Sequence, residues 1–98
     1  MDGRSVSIVH RGVWSNGFGP DFSDAMVLFD GRDLRVGAIE VHRSSGGWFD
    51  HRHHLDPRYD PVVLHVALRD DGAPARTRAG ANVPLVVVDA ARVPPLPE

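Results

Sequence analysis

Residues 25–42 read Ala25-Met26-Val27-Leu28-Phe29-Asp30-Gly31-Arg32-Asp33-Leu34-Arg35-Val36-Gly37-Ala38-Ile39-Glu40-Val41-His42. An Asp-Gly pair between two apolar runs is the strongest short-range hairpin signal, because both central positions of a type I′ turn need positive φ. The second run alternates, which puts Leu34, Val36, Ala38, Glu40 and His42 on one face of its strand. A stripe that starts apolar and ends in a carboxylate and an imidazole is unusual, since burying an unpaired charge costs several kcal/mol. Either the strand leaves the core at Glu40 and its polar end is solvated, or the polar end is a site.

The register decides what else joins that face. An Asp30-Gly31 turn pairs Phe29 with Arg32 and, followed along the ladder, sets Asp21 opposite Glu40. A Gly31-Arg32 turn sets Asp21 opposite His42. Either two-residue turn puts Asp21 on the face of Glu40 and His42, and a three-residue loop or a bulge would break the relation. Two acidic groups brought together repel unless a cation or a proton lies between them. A divalent metal held by Asp21 and Glu40, with His42 as third ligand or as base, answers that repulsion.

Outward from the hairpin the chain is β-rich. Ser5-Val6-Ser7-Ile8-Val9-His10 alternates and is β-branched, a first strand. Asn16-Gly17-Phe18-Gly19-Pro20 is a breaker cluster and reads as loop. Ser44-Ser45-Gly46-Gly47 closes the hairpin's second strand. Residues 48–61 are polar, histidine-rich and aromatic, with room for a short helical turn at residues 51–55 before Pro57 and Pro61 limit it. Val62-Val63-Leu64-His65-Val66-Ala67-Leu68 is apolar on both faces and reads as a central strand. Residues 70–81 read as a solvated loop, residues 83–88 as a last strand and residues 93–97 as a polyproline-like tail. The fold class expected is mainly β, with α+β as the alternative: about five strands in one mixed, largely antiparallel sheet with a central hairpin and little helix. Residues 1–91 form one domain in this reading, and residues 92–98 a Pro-rich tail.

Composition narrows the chemistry. The chain has 98 residues and no cysteine, so disulfides and thiolate metal sites are excluded together. Every basic side chain is arginine, and the formal net charge is −2, which argues against a broad nucleic-acid surface. No secretion signal opens the sequence and no apolar stretch approaches the roughly 20 residues that span a bilayer, so a cytoplasmic location is expected.

A second polar cluster follows the hairpin: His51, His53 and His54, then Asp56, Tyr59 and Asp60. Imidazoles two or three residues apart can ligate one transition metal on a loop, with Asp56 as an oxygen ligand. The plainer reading is a surface histidine cluster that binds nothing. His65, within the most apolar strand, is expected to be a hydrogen-bonded core histidine or a group supporting a ligand. Trp48, Phe49 and Tyr59 are expected to cap the small core.

Taken in order, Gly19-Pro20-Asp21-Phe22, Gly37-Ala38-Ile39-Glu40-Val41-His42, Ser45, Trp48, His51, His53, Asp56, Tyr59 and Leu64-His65-Val66 resemble a bacterial family known as domain of unknown function 2851. The resemblance runs over residues 6–88. Members of that family are usually longer, which implies a fragment or a reduced version, and the family brings no activity with it. Pro20-Asp21 before the hairpin and Glu40-Val41-His42 on its second strand are also distantly similar to the restriction-endonuclease-like nucleases. That likeness implies Asp21 and Glu40 as carboxylate ligands of magnesium, with the Val41 carbonyl as a further ligand. His42 stands where those enzymes carry lysine, and histidine can replace lysine only as a base or ligand, not as a permanent charge.

Three functional expectations result. The first is a metal-dependent nuclease or phosphodiesterase using Mg²⁺ or Mn²⁺ at Asp21 and Glu40, with His42 acting on the attacking water. The second is a non-catalytic β-rich scaffold or interaction module, whose polar groups pair with one another. The third is a histidine-based site favouring zinc, nickel or copper. No organic cofactor is expected. Expected partners are nucleic acid, weakly, and either a second copy of the chain or a missing segment of a longer one, because a short sheet leaves faces and edges to be covered.

Overall fold

The computed structural model describes residues 5–15, 19–72 and 74–88. Its main sheet runs in the order β1-β3-β4-β5-β8, where β1 is Val6–His10, β3 Phe22–Phe29, β4 Asp33–Ser44, β5 Val62–Arg69 and β8 Leu85–Val87. The two-residue β2 (Val13–Trp14) also pairs with β3. Pairings up to β4 are antiparallel, whereas β4–β5 and β5–β8 are parallel. The sheet is therefore mixed, and the strand read as central does lie between two neighbours.

Parallel neighbours need a crossover of a dozen or more residues. The histidine-rich stretch supplies it, as α1 (Gly47–Asp50) followed by 3₁₀ turns at His53–Leu55 and Pro57–Tyr59. Helical structure thus begins four residues before the expected turn. Residues 70–81 hold more than solvated loop: β6 (Ala75–Arg76) lies within them and pairs with β7 (Asn82–Val83), just beyond, in a small ribbon. The expected last strand divides at Pro84, which has no N–H for a ladder but accepts at its carbonyl from His65 N–H. The proposed tail at residues 92–98 and the loop residues 16–18 lie outside the described residues.

The hairpin departs from either two-residue turn. Asp30 and Gly31 both take positive φ, 54° and 70°, and Arg32 N–H donates to Phe29 C=O, so the dipeptide turns as expected. The ladder nevertheless pairs Phe29 with Asp33, leaving a three-residue loop. Alone, that offset would carry Asp21 to the wrong face. Between Ala25↔Gly37 and Phe22↔Ile39 the register shifts back by one, where Ser23 and Asp24 together oppose Ala38. Asp24 sits in the left-handed region at φ 58°, as one residue of a bulge often does. Gly12, φ 82°, crosses beside the bulge, where a Cβ would run into the Ser23 carbonyl. The two irregularities cancel, and Asp21 stands across from Glu40 after all.

Two apolar clusters flank the sheet. Phe22, Ala25, Val27, Phe29, Ile39 and Leu64 pack on one side. Ala38, Trp48, Tyr59, Val62, Ala75 and Val83 pack on the other, where the crossover and the β6–β7 ribbon join the sheet. The alternating stripe of β4 is buried in the reverse of the expected sense. Its apolar end is open, with Leu34 50% and Val36 63% exposed, and its polar end is enclosed, with Glu40 5% and His42 9% exposed. The crossover covers the C-terminal half of the strand only.

Candidate metal centre

β4 sets Glu40 and His42 on its crossover-facing side, and the parallel register with β5 lays His65 directly beside Glu40. The crossover brings His51 and His53 over them. Arg52, between these two, is held in the left-handed region at φ 60°. For a side chain that conformation costs about 1–2 kcal/mol. His53 stacks on Tyr59 (centroids 3.7 Å, interplanar 15°) and meets Trp48 edge-on. Trp48 is itself anchored by its indole N–H on the Arg76 carbonyl at 2.8 Å.

The resulting network centres on Glu40. Oε1 accepts from Asp21 N–H at 3.0 Å, and Oε2 lies 2.9 Å from His53 Nε2 and 3.2 Å from His42 Nε2. His42 Nε2 is also 3.3 Å from His51 Nδ1, while its Nδ1 is 2.8 Å from His65 Nε2. Asp21 Oδ2 accepts from Val41 N–H at 2.8 Å. Asp21 and Glu40 therefore each hold the other strand's backbone, which is how the register ends in a carboxylate clasp.

Burial and pairing set the protonation. Desolvation lifts the Asp21 carboxyl from its ordinary range to about 6, aided by neighbouring Glu40 and opposed by the Val41 hydrogen bond. Burial also acts to raise Glu40, but the His53 hydrogen bond and the nearby His42 and His53 together hold it below the usual carboxylate range. His42 falls to about 4, chiefly because burial disfavours an imidazolium, and His65 is lowered for the same reason. Both rings are neutral at pH 7, the state in which imidazole binds metals. Desolvation raises the Tyr59 hydroxyl to about 12, so it remains protonated.

Of the residues singled out in the sequence, Asp21, Glu40, His42, His51, His53 and His65 converge. Each of His42, His51 and His53 offers a ligand atom, all within 4.8 Å of one another; two are buried and His51 is exposed. His54 stands apart, its ring against Phe49 at 4.8 Å and its Nδ1 buried with no partner among the described residues. Asp56 is committed elsewhere: it caps the second 3₁₀ turn through Arg58 N–H and pairs with the Arg58 guanidinium at 2.7 Å. The sequence reading missed the support from below. Ser45, fully buried, bonds Asp71 Oδ1, which also accepts from Gly46 N–H at 2.7 Å, so the start of the crossover is tied to the end of β5. Gly47 lies so close to His42 that a Cβ there would sit 2.7 Å from Cδ2 of the ring. The Ser-Ser-Gly-Gly run was the available signal, read only as the end of a strand.

Fold and site together define a small mixed-sheet domain with a buried histidine–glutamate cluster under its parallel crossover. The chain belongs to the family described as Protein of unknown function (DUF2851), whose model matches residues 1–95. No curated protein and no solved structure matches it. Among the described residues, no helix is long and apolar enough to cross a membrane.

Proposed function

We propose that this domain binds a zinc-class divalent ion through His42 Nε2, His51 Nδ1 and His53 Nε2, with Glu40 Oε2 beside it. The spacing of these atoms carries the reading. A tetrahedron with metal–ligand bonds of about 2.0–2.1 Å has edges of about 3.3–3.4 Å. Three of the six edges, His42–His51, His42–Glu40 and His53–Glu40, measure 3.3, 3.2 and 2.9 Å, and the three imidazole ligand atoms all lie within 4.8 Å of one another. Imidazole donors favour zinc, nickel or copper over magnesium. The carboxylates are less suited to Mg²⁺ or Mn²⁺, because one oxygen each of Glu40 and Asp21 already accepts a backbone N–H.

The test is calorimetric titration of Zn²⁺ and Mn²⁺ into chelator-treated protein, with His51→Ala and Asp21→Ala variants. His51 is exposed, so its loss leaves the core intact. Zinc binding that His51→Ala abolishes and Asp21→Ala retains is the expected result. Zinc binding unaffected by His51→Ala, or none at all, refutes the proposal; in the latter case a mutually paired scaffold takes its place.

A second reading rests on Asp21 facing Glu40 across the hairpin, the arrangement the nuclease likeness requires. In it the ion activates water against a phosphodiester, and the raised Asp21 carboxyl exchanges the proton. Release of nitrophenolate from bis(p-nitrophenyl) phosphate by the zinc- or manganese-loaded protein, lost in Asp21→Asn, is its expected signature. No release with either ion refutes it.

A further inference from the structure

We infer that His65 is a positioning residue for the ion, because its hydrogen bond decides which nitrogen of His42 is free to bind. The inference rests on the metal reading above. His42 Nδ1 and His65 Nε2 lie 2.8 Å apart, two ring nitrogens that need one proton between them. His65 is 0% exposed, and its other nitrogen, Nδ1, meets no partner among the described residues. The rings are nearly perpendicular, at 86° with centroids 5.0 Å apart, so His65 meets His42 through one directed bond rather than by stacking.

Proton placement follows from what each nitrogen meets. In folded proteins a buried N–H left without an acceptor is rarer than a buried acceptor short of a donor. In the metal-free protein His65 therefore carries its proton on Nε2, donates it to His42 Nδ1, and leaves only a lone pair unpartnered. His42 must then hold its own proton on Nε2, which His51 Nδ1 can accept at 3.3 Å, with Glu40 Oε2 close by at 3.2 Å. In that arrangement His42 Nε2 has no lone pair for a cation.

Ion binding reverses both tautomers. His42 binds through Nε2, carries its proton on Nδ1 and donates to His65 Nε2, and His65 places its proton on the unpartnered Nδ1. Each ring is neutral before and after, so the pair neither gains nor loses a proton. His65 thus serves as donor in one state and acceptor in the other. Groups that orient a ligating histidine in this way typically change metal affinity by about 10–100-fold when removed.

The experiment joins nitrogen-detected NMR of the histidine rings, with and without Zn²⁺, to zinc affinities of His65→Leu and His65→Gln. A glutamine amide can donate or accept by turning over; leucine can do neither. The expected result is His42 protonated on Nε2 without zinc and on Nδ1 with it. His65→Leu should bind zinc about 10–100-fold more weakly, and His65→Gln should restore affinity to within a few-fold of the unaltered protein. An Nδ1–H tautomer of His42 in the metal-free protein overturns the inference, as does wild-type affinity in His65→Leu. Should the leucine variant fail to fold, the glutamine variant and the tautomers of the unaltered protein still decide. Zinc binding absent from the unaltered protein sinks the metal reading and this one together, whereas binding that ignores His65 sinks this one alone.

Discussion

Replacing Asp21 by asparagine should stabilise the metal-free protein at neutral pH, and the gain should vanish in acid. The carboxyl is raised from 3.8 to about 6, so the fold prefers its protonated form. The preference contributes stability that is complete below about pH 4 and is lost as pH rises through 6. A shift of about two units corresponds to roughly 3 kcal/mol at 1.36 kcal/mol per unit. The group is only half buried, and solvent screening reduces this to about 1–1.5 kcal/mol. Asparagine reproduces the protonated acid: its carbonyl can keep the Val41 N–H, and its amide can donate toward Glu40. Urea denaturation with chelator present, from pH 4 to pH 8, is the assay. The variant should match the parent near pH 4 and exceed it by about 1 kcal/mol at pH 7. His42 has the opposite dependence, because its pKa falls from 6.5 to about 4; its contribution is present above 6.5 and is lost as pH drops toward 4. Between pH 4 and 6 the two slopes offset in the parent. The variant, freed of the Asp21 arm, should grow steadily more stable with pH there. Asp21→Asn equal to or less stable than the parent at pH 7 would show that the buried carboxyl is not a strained charge.

Gly47→Ala sets a methyl 2.7 Å from the His42 ring, and should cost about 1–3 kcal/mol in thermal denaturation while weakening zinc binding. Trp48→Phe removes the donor to the Arg76 carbonyl, and should cost about 1–3 kcal/mol for the unsatisfied group; hydrogen exchange should rise at the β6–β7 ribbon first. Val36→Lys, on the open end of β4, should change stability by no more than about 0.5 kcal/mol, and a large loss by denaturant melt would mean that this face is covered.

The sequence pattern made the strands legible because period-2 alternation and turn dipeptides act over a few residues. It also placed Glu40 and His42 on one face, since side-chain alternation needs no knowledge of the neighbours. What it could not supply was the direction of burial. Leu34 and Val36 carry the hydrophobicity, but the crossover lies over the other half of the strand, so tertiary cover overrides side-chain preference. The Asp21–Glu40 opposition emerges through two offsets rather than none, because a bulge at Ser23–Asp24 leaves no compositional mark comparable to Asp-Gly. His51 and His53 were visible as a cluster, whereas their meeting with β4 depends on a parallel pairing and on a left-handed Arg52 that no local rule anticipates. His54 and Asp56 look the same in sequence and are turned elsewhere by Phe49 and Arg58.

The paired offsets of the hairpin carry a consequence for insertions and deletions. Removing one residue from the three-residue loop, or one from the bulge, should swing Asp21 to the opposite face, whereas removing one from each returns it beside Glu40. Length changes on the two sides of β3 are therefore tolerable only as a matched pair. A variant of this hairpin with a shortened turn should be found with a straightened strand, and the distance along the chain from Asp21 to Glu40 should vary in steps of two.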